Sequence, residues 1–233
     1  MKFLFENWRG FVVENRQEDY VEKVEAAEID MIDELLRASK TFQKAWEEME
    51  KSYEGTSHHF GETTAEHTRN VMKELDIIID NLDKKIDKTR KRKLKLAAAL
   101  HDIAKPPTRT VDDTGRVRFF GHPSEGVSVA KKVLKEIGET DTDIIIKIVK
   151  MHMDILFKAD ELRRGLIKKE QRAVNRFLNK IGDGLEDLYL VAQANVNAIV
   201  NPEGARVVPG RDWDSFKSDM EEHIDYQRQW MEK

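Results

Sequence analysis

The chain alternates between stretches with helical spacing of apolar side chains and short polar breaks. From residue 18 to 53 a heavily charged run places Val24, Ile29, Ile32, Leu35 and Leu36 on one stripe, which predicts one long amphipathic helix or a broken pair. Gly55-Thr56-Ser57 ends it. Glu62-Thr63-Thr64 opens the next helix, whose Ala65, Val71, Leu75 and Ile78 share a face with His67, so this histidine is expected to point inward. A third helix is expected from about Thr89 to Ile103. Pro106-Pro107 stops it, because proline lacks the amide hydrogen and constrains the residue before it.

Residues 108–120 change character. Thr108-Arg109-Thr110-Val111, Asp112-Asp113-Thr114-Gly115 and Arg116-Val117-Arg118-Phe119-Phe120 predict a short β-hairpin or extended loop, expected to cover a site built by the helices. Helices follow at about 123–137, 141–154, 168–180 and 184–199, separated by Gly138, Gly165 and Gly182-Asp183-Gly184. A loop at Asn201-Pro202-Glu203-Gly204 and Pro209-Gly210 precedes a terminal helix from Trp213 to Trp230. There is no internal repeat and no low-complexity tract. The expected fold is all-α: an N-terminal helical appendage over 1–55, a helical bundle over 56–200, and a C-terminal loop and helix over 201–233 packed on the bundle.

Composition supports this picture and narrows the chemistry. With 39% hydrophobic and 36% charged residues, 5 prolines and 12 glycines in 233 residues, the chain has enough apolar side chains for a sizeable core and a helical bias. Cysteine is absent, which excludes disulfides, thiolate ligands and cysteine nucleophiles, so any metal is held by nitrogen and oxygen. The apolar start is broken by Glu6, Asn7 and Arg9 and lacks a secretory core, and no segment approaches the roughly 20 apolar residues of a membrane span. A cytoplasmic location is expected. The net charge of −4 gives no general attraction to nucleic acid or acidic membranes. Locally, Lys84, Lys85, Lys88, Arg90, Lys91, Arg92, Lys93 and Lys95 face only Asp87, as a solvated loop and first helical turn or as a phosphate-steering patch.

The candidate chemistry lies at the end of the apolar run Leu96-Ala97-Ala98-Ala99-Leu100. There His101 and Asp102 stand side by side, with His67, His122 and His152 at wide intervals around them. An adjacent imidazole and carboxylate can both bind one divalent cation, and a helix that ends by delivering them into a cleft builds an open metal site. His67, the His101-Asp102 dyad and a polar residue late in the chain bring ligands from three helices, as metal sites in bundle cores do.

Glu66-His67-Thr68, Ala99-Leu100-His101-Asp102-Ile103-Ala104-Lys105-Pro106, Phe119-Phe120-Gly121-His122 and Met151-His152-Met153 resemble the HD-domain metal-dependent phosphohydrolases, and within them the HD domains attached to bacterial tRNA nucleotidyltransferases. The likeness spans about residues 60–200. It implies an HD-domain bundle in which His67, His101, Asp102 and a residue of the helix near 188–199 hold a divalent metal (Mn, Ni, Co, Fe, Mg or Zn), as one or two ions. Aligning Leu188, Val191 and Ala194 puts Asn195 where the family carries Asp; Asn offers a carbonyl oxygen and no negative charge, and Gln193 and Asn197 are the alternatives. His122 and His152 resemble histidines that bind a second metal, or else contact ligands or substrate. Asp102 is then the bridging ligand and the group that orients, or takes a proton from, the nucleophilic water.

Lys105 and Arg109 are candidates to neutralise phosphate oxygens, or are surface cations suited to a helix end. Ala104 and Lys105 stand where HD hydrolases of guanosine tetraphosphate carry an acidic pair and HD-type 5′-deoxynucleotidases a Glu, which points to the HDIxK kind that includes phosphodiesterases. The implied function is a metal-dependent phosphohydrolase or phosphodiesterase acting on a nucleotide or RNA-end phosphate ester through metal-activated water, with 2′,3′-cyclic phosphates and 2′-phosphates among its substrates; the polymerase part of the tRNA nucleotidyltransferases is missing. The rival is a catalytically degenerate HD module that binds a nucleotide or a protein partner without turnover, and Asn195 motivates it. A homodimer through the helix of 18–53 is a further expectation. His58-His59 is read as solvated or at the cleft rim, His223 as incidental, and Phe119 and Phe120 as packing the hairpin or stacking on a base.

Overall fold

The computed structural model describes residues 31–55, 61–163 and 176–199. The first helical run is a broken pair. Residues 31–38 form α1, Ser39 leaves the helix with φ −131° and ψ 113°, and α2 follows over Lys40–Lys51. The Ser39 hydroxyl accepts a 2.9 Å hydrogen bond from the Phe42 amide, so the break restarts a helix by N-capping it. Leu35, Phe42, Trp46 and Met49 are buried in the common core, and Leu36 is half-buried. Val24, Ile29 and the rest of residues 18–30 lie outside the described residues, and the homodimer expectation rests partly on them.

Helix α3, Thr64–Asp80, starts at a capping box: Glu66 N donates to Thr63 Oγ1 (3.2 Å) and Thr63 N to the Glu66 carboxylate (2.7 Å). Helix α4, Lys88–Leu100, is capped by Asp87. Its residues Leu94 to Leu100 are all buried, as a helix covered on every side requires. The α-ladder ends at Leu100, three residues before the expected Ile103. Shorter bonds, from Ile103 N to Leu100 O (3.3 Å) and from Lys105 N to Asp102 O (2.9 Å), tighten residues 101–105 into turns and lead to a 3₁₀ turn at Pro106–Thr108. The central helix thus releases its C-terminal residues inside the molecule.

The hairpin is present: β1, Arg109–Val111, pairs antiparallel with β2, Val117–Phe119, in the register Arg109↔Phe119 and Val111↔Val117. Asp112 Oδ1 accepts from the amides of Thr114 and Arg116, both at 3.0 Å, and closes the turn. Gly121, at φ +80°, then redirects the chain into α5, His122–Glu136. Helix α6, Asp143–Arg163, continues nine residues past the expected end at 154. Ile148, Met151 and Ile155 keep the buried helical spacing, and no Gly or Pro intervenes before Gly165. Residues 176–181 form α7, a 3₁₀ turn at Gly182–Gly184 follows, and α8 spans Leu185–Asn197. The expected helices over 168–175 and 213–230, with the loop between 201 and 210, lie outside the described residues.

Among the described residues the result is an all-α bundle with one small two-stranded sheet. Helix α3 packs on α8, α5 on α6, α6 on α8, and α4 between α3 and α6. Most of the basic run is spent on this assembly: Lys95 pairs with buried Asp76 on α3 (2.8 Å), Arg90 with Asp187 and Glu186 of α8, Arg92 with Glu34 and Glu139, and Lys93 with Asp141. Of the run, Lys84, Lys85 and Lys88 remain exposed, so the phosphate-steering patch is reduced to them. No described helix is long and apolar enough to cross a membrane.

Glu136, at the end of α5, ties α2 to that helix. It accepts from Ser39 Oγ (2.6 Å), Thr41 Oγ1 and Thr41 N (3.0 Å), and these hydrogen bonds hold its carboxyl down to about 2 from an ordinary 4.5. A depressed carboxyl contributes stability that is complete above its unfolded pKa and is lost as pH falls from about 4.5 toward 2. Glu136→Gln is therefore expected to melt lower than the parent at pH 7 and to lose less between pH 5 and 2, roughly the window of that titration. Thermal unfolding across pH checks it, and parallel curves would contradict the assignment.

Candidate metal centre

Four helices converge on the residues released by α4. The inward face of α3 supplies His67, the turn after α4 supplies His101 and Asp102, the first residue of α5 is His122, and α6 and α8 contribute His152 and Asn195. All six are buried. The rings of His67 and His101 are 5.9 Å apart, those of His101 and His152 5.2 Å, and those of His122 and His152 5.1 Å. Asp102 lies between the two groups. Its Oδ2 is 2.9 Å from His101 Nε2 and 3.9 Å from His67 Nε2, and its Oδ1 is 3.2 and 3.4 Å from the Nε2 atoms of His122 and His152.

The far side of each ring fixes what the near side presents. His101, His122 and His152 direct Nδ1 at the carbonyls of Ala98 (2.7 Å), Phe119 (2.7 Å) and Val149 (2.8 Å), each three residues earlier. A carbonyl only accepts, so Nδ1 carries the hydrogen and a neutral ring turns an Nε2 lone pair to the centre. His152 is neutral at pH 7: burial, only partly opposed by the hydrogen bond and charge of Asp102, pushes it down to about 4. His122 Nε2 and His152 Nε2 then stand 3.1 Å apart with lone pairs facing. That contact is repulsive without a cation or a shared proton between them. Two nitrogens on one ion at lengths of about 2.0–2.1 Å stand roughly 2.9 Å apart at a right angle and roughly 3.3 Å apart at the tetrahedral angle, and the observed separation lies between these.

The other half has the same character. His101 Nε2 makes no hydrogen bond although Asp102 Oδ2 is close. His67 sets Nδ1 3.3 Å from Glu62 Oε1 and Nε2 2.8 Å from Asn195 Oδ1, so Nε2 donates to the amide oxygen in one tautomer and turns a lone pair to the centre in the other, with the hydrogen on Nδ1 toward Glu62. Ligand atoms of His67, His101 and Asp102 all lie within 4.8 Å of one another, as do those of Asp102, His122 and His152. The donor set fits one or two divalent ions of nitrogen and oxygen preference. Asn195 is the residue of α8 that reaches the cluster; Gln193 and Asn197 are half-buried.

Asp102 is the shared carboxylate. Burial would raise its pKa, but the imidazoles of His101 and His122 beside it and the charge of Lys105 outweigh burial and hold it well below the usual range. Lys105 is not a surface cation: it is buried, with Nζ 2.9 Å from Asp102 Oδ2 and 2.8 Å from Glu54 Oε2. Burial alone would lower its pKa, yet these two carboxylates raise it above 10.5. Arg109 is placed elsewhere. It begins β1 exposed, its Nε 3.4 Å from the Tyr53 carbonyl, while Arg116 and Arg118 line the cleft.

The cleft, about 650 Å³, opens over Asp102, Lys105, His122 and Asn195 between β2, α6 and the segment after α2. Glu54, on Lys105, and Glu62, beside His67, adjoin the cluster at positions that sequence reasoning missed. A bridge between Tyr53 and Thr63 folds their segment back on itself, with Glu54 N donating to Glu62 O at 3.1 Å, and no periodic pattern marks such a bridge. Gly55 lets this segment pass under the hairpin, since at φ +57° a Cβ would stand 2.6 Å from Val117 Cγ2. His58-His59 and His223 lie outside the described residues.

The sequence profile of the HD domain matches residues 64–181, half of the chain. The chain belongs to the HD-domain family. That family is one of metal-dependent phosphohydrolases, and the buried cluster of histidines and Asp102 is compatible with its chemistry. The matched segment contains His67, His101, Asp102, Lys105, His122 and His152; Glu54 and Asn195 of this HD protein fall outside it. No curated protein matches the chain.

Metal-free protein titrated with Mn²⁺ or Ni²⁺ is expected to melt higher, by the equivalent of about 2.7 kcal/mol at one hundred times the dissociation constant. His101→Ala and His152→Ala should lose most of this shift in differential scanning fluorimetry. An undiminished shift in both variants would place the binding elsewhere.

Proposed function

We propose that the chain is a phosphohydrolase or phosphodiesterase acting on a nucleotide or RNA-end phosphate ester. His67, His101, Asp102 and Asn195, or Asp102, His122 and His152, or both groups, would hold a divalent cation, which when bound would supply a water of lowered pKa and charge for phosphoryl oxygens. The observation that carries the reading is the facing of His122 Nε2 and His152 Nε2 at 3.1 Å beside Asp102 in an open cleft. The likeness to the HD domains of tRNA nucleotidyltransferases supports 2′,3′-cyclic phosphates and 2′-phosphates as substrates, and the HDIxK form supports diester cleavage.

The chain's own residues divide the work. Asp102, its carboxyl held well below the usual range, is a weak base, so it orients a nucleophile by accepting a hydrogen bond rather than by keeping the proton. Lys105, protonated and held by Glu54, presents a fixed positive charge to a phosphoryl group as negative charge builds. Asn195 leaves the donor set one negative charge short of the family pattern, which weakens the hold on a cation and makes the cleft more attractive to an anion. Arg109 keeps the phosphate role only by approaching from the rim, and Arg118 is the better-placed arginine.

Asn195 also favours a second reading, a module that binds a nucleotide or a protein partner without turnover. Bis-p-nitrophenyl phosphate and 2′,3′-cyclic AMP, assayed with Mn²⁺, Ni²⁺ or Mg²⁺, separate the two. The hydrolase reading expects metal-stimulated turnover that falls by at least about 10² in Lys105→Ala, the size of one lost charge-stabilising donor, and further in His101→Ala. Parent protein without turnover, gaining it in Asn195→Asp, is the outcome that supports the binding module.

A further inference from the structure

Two aromatic rings at the mouth of the cleft have no part in the chemistry above. Phe120 is 73% exposed and Phe157 58% exposed, yet both line the cleft that holds Asp102 and Lys105. Each is tied to a metal donor along the chain. Phe120 precedes His122 by two residues at the Gly121 bend, and Phe157 follows His152 by five residues on α6, about 7.5 Å further along the helix axis. Phe157 also stands one turn after Met153, another residue of the cleft wall. The Arg118 guanidinium lies 5.6 Å from the centroid of the Phe120 ring, within reach of a cation–π contact.

We propose that Phe120 and Phe157, with Arg118, form a platform for an unpaired nucleobase whose phosphate reaches Lys105 and the metal donors. The reading rests on the proposed hydrolase function and narrows its substrate to phosphate esters bearing an exposed base. The walls select this chemistry. Flat rings left in water favour a flat apolar partner, while Arg116, Arg118 and Lys105 on the same walls offer positive charge to a phosphate, the carboxylates of that lining being already engaged, Glu54 and Asp102 with Lys105 and Asp154 with Lys180. An aliphatic ester satisfies the charge and leaves the rings uncovered; a neutral aromatic does the reverse. A cleft of about 650 Å³ lies in the range that encloses a small molecule. Bases inside a duplex have their faces covered by neighbours, so free nucleotides and single-stranded ends are the two sources that remain.

The test is equilibrium binding to the Mn²⁺-loaded protein by titration calorimetry, with adenosine 5′-monophosphate, the 5′-phosphorylated dinucleotide pApA, and ribose 5-phosphate as the ligand without a base. The platform predicts that the nucleotide binds at least about tenfold more tightly than ribose 5-phosphate, in line with the strength of base stacking on aromatics. Phe120→Ala and Phe157→Ala should each remove most of that preference and leave ribose 5-phosphate binding and the melting temperature unchanged, both rings being exposed; Phe120→Trp should keep it. Tighter binding of pApA than of the mononucleotide identifies strand ends as the source, and equal binding identifies free nucleotides, both in support. Equal affinity for the nucleotide and ribose 5-phosphate in the parent, or an equal loss for both in the alanine variants, overturns the platform. Base preference without turnover of any ester defeats the hydrolase reading alone, whereas turnover of bis-p-nitrophenyl phosphate without base preference defeats the platform alone.

Discussion

The arrangement depends on one buried carboxylate shared by two groups of imidazoles. Asp102 has an oxygen toward His101 and His67 and another toward His122 and His152, with three of these rings committed by their Nδ1 atoms to backbone carbonyls. Lone pairs gathered in a dry interior are costly unless a positive charge joins them. The bundle supplies the rigidity that holds them in place. The C-terminal half of α4, Leu94 to Leu100, is buried on every side, so the turn after it has no route to the surface, and α3, α5, α6 and α8 each bring a polar side chain to meet it. Folding therefore assembles the donors at the same time as it buries the core.

Around that centre the charges are arranged rather than simply accumulated. Lys105 sits between Asp102 and Glu54, which keeps it protonated and in one place despite its burial. Asn195 supplies geometry without charge where a carboxylate would have bound a cation more strongly. Both features shift the balance of the cleft toward anions. The hairpin contributes Arg116 and Arg118 on the same side, and the outer basic run, by contrast, is mostly occupied in joining α4 to α1, α3 and α8.

Much of this was legible in the sequence where the signal is local. The phase of His67 with Ala65, Val71 and Leu75 predicts its inward position, and the apolar run followed by two prolines predicts a dyad released at a helix end. What the sequence could not show depends on distant pairings. Arg90 meets Asp187 across 97 positions, so the run 84–95 looks like an unpaired patch until the bundle closes. Strands of three residues carry too little alternation to fix their faces, and Arg109 and Arg118 exchange importance once the register Thr110↔Arg118 is known. Glu54 reaches Lys105 only through a single bridge between Tyr53 and Thr63. Helix α6 runs past the expected end at 154 because Ile155 continues its buried face and no Gly or Pro intervenes before Gly165.

Anomalous diffraction at the manganese edge from crystals grown with Mn²⁺ tests the central claim most directly. The account predicts a peak bonded to Asp102 together with Nε2 of His122 and His152, of His67 and His101, or of both pairs, at roughly the 2.0–2.3 Å of nitrogen and oxygen ligands. A fully loaded crystal with no peak touching Asp102, or with the imidazoles turned to present Nδ1 inward, would contradict it.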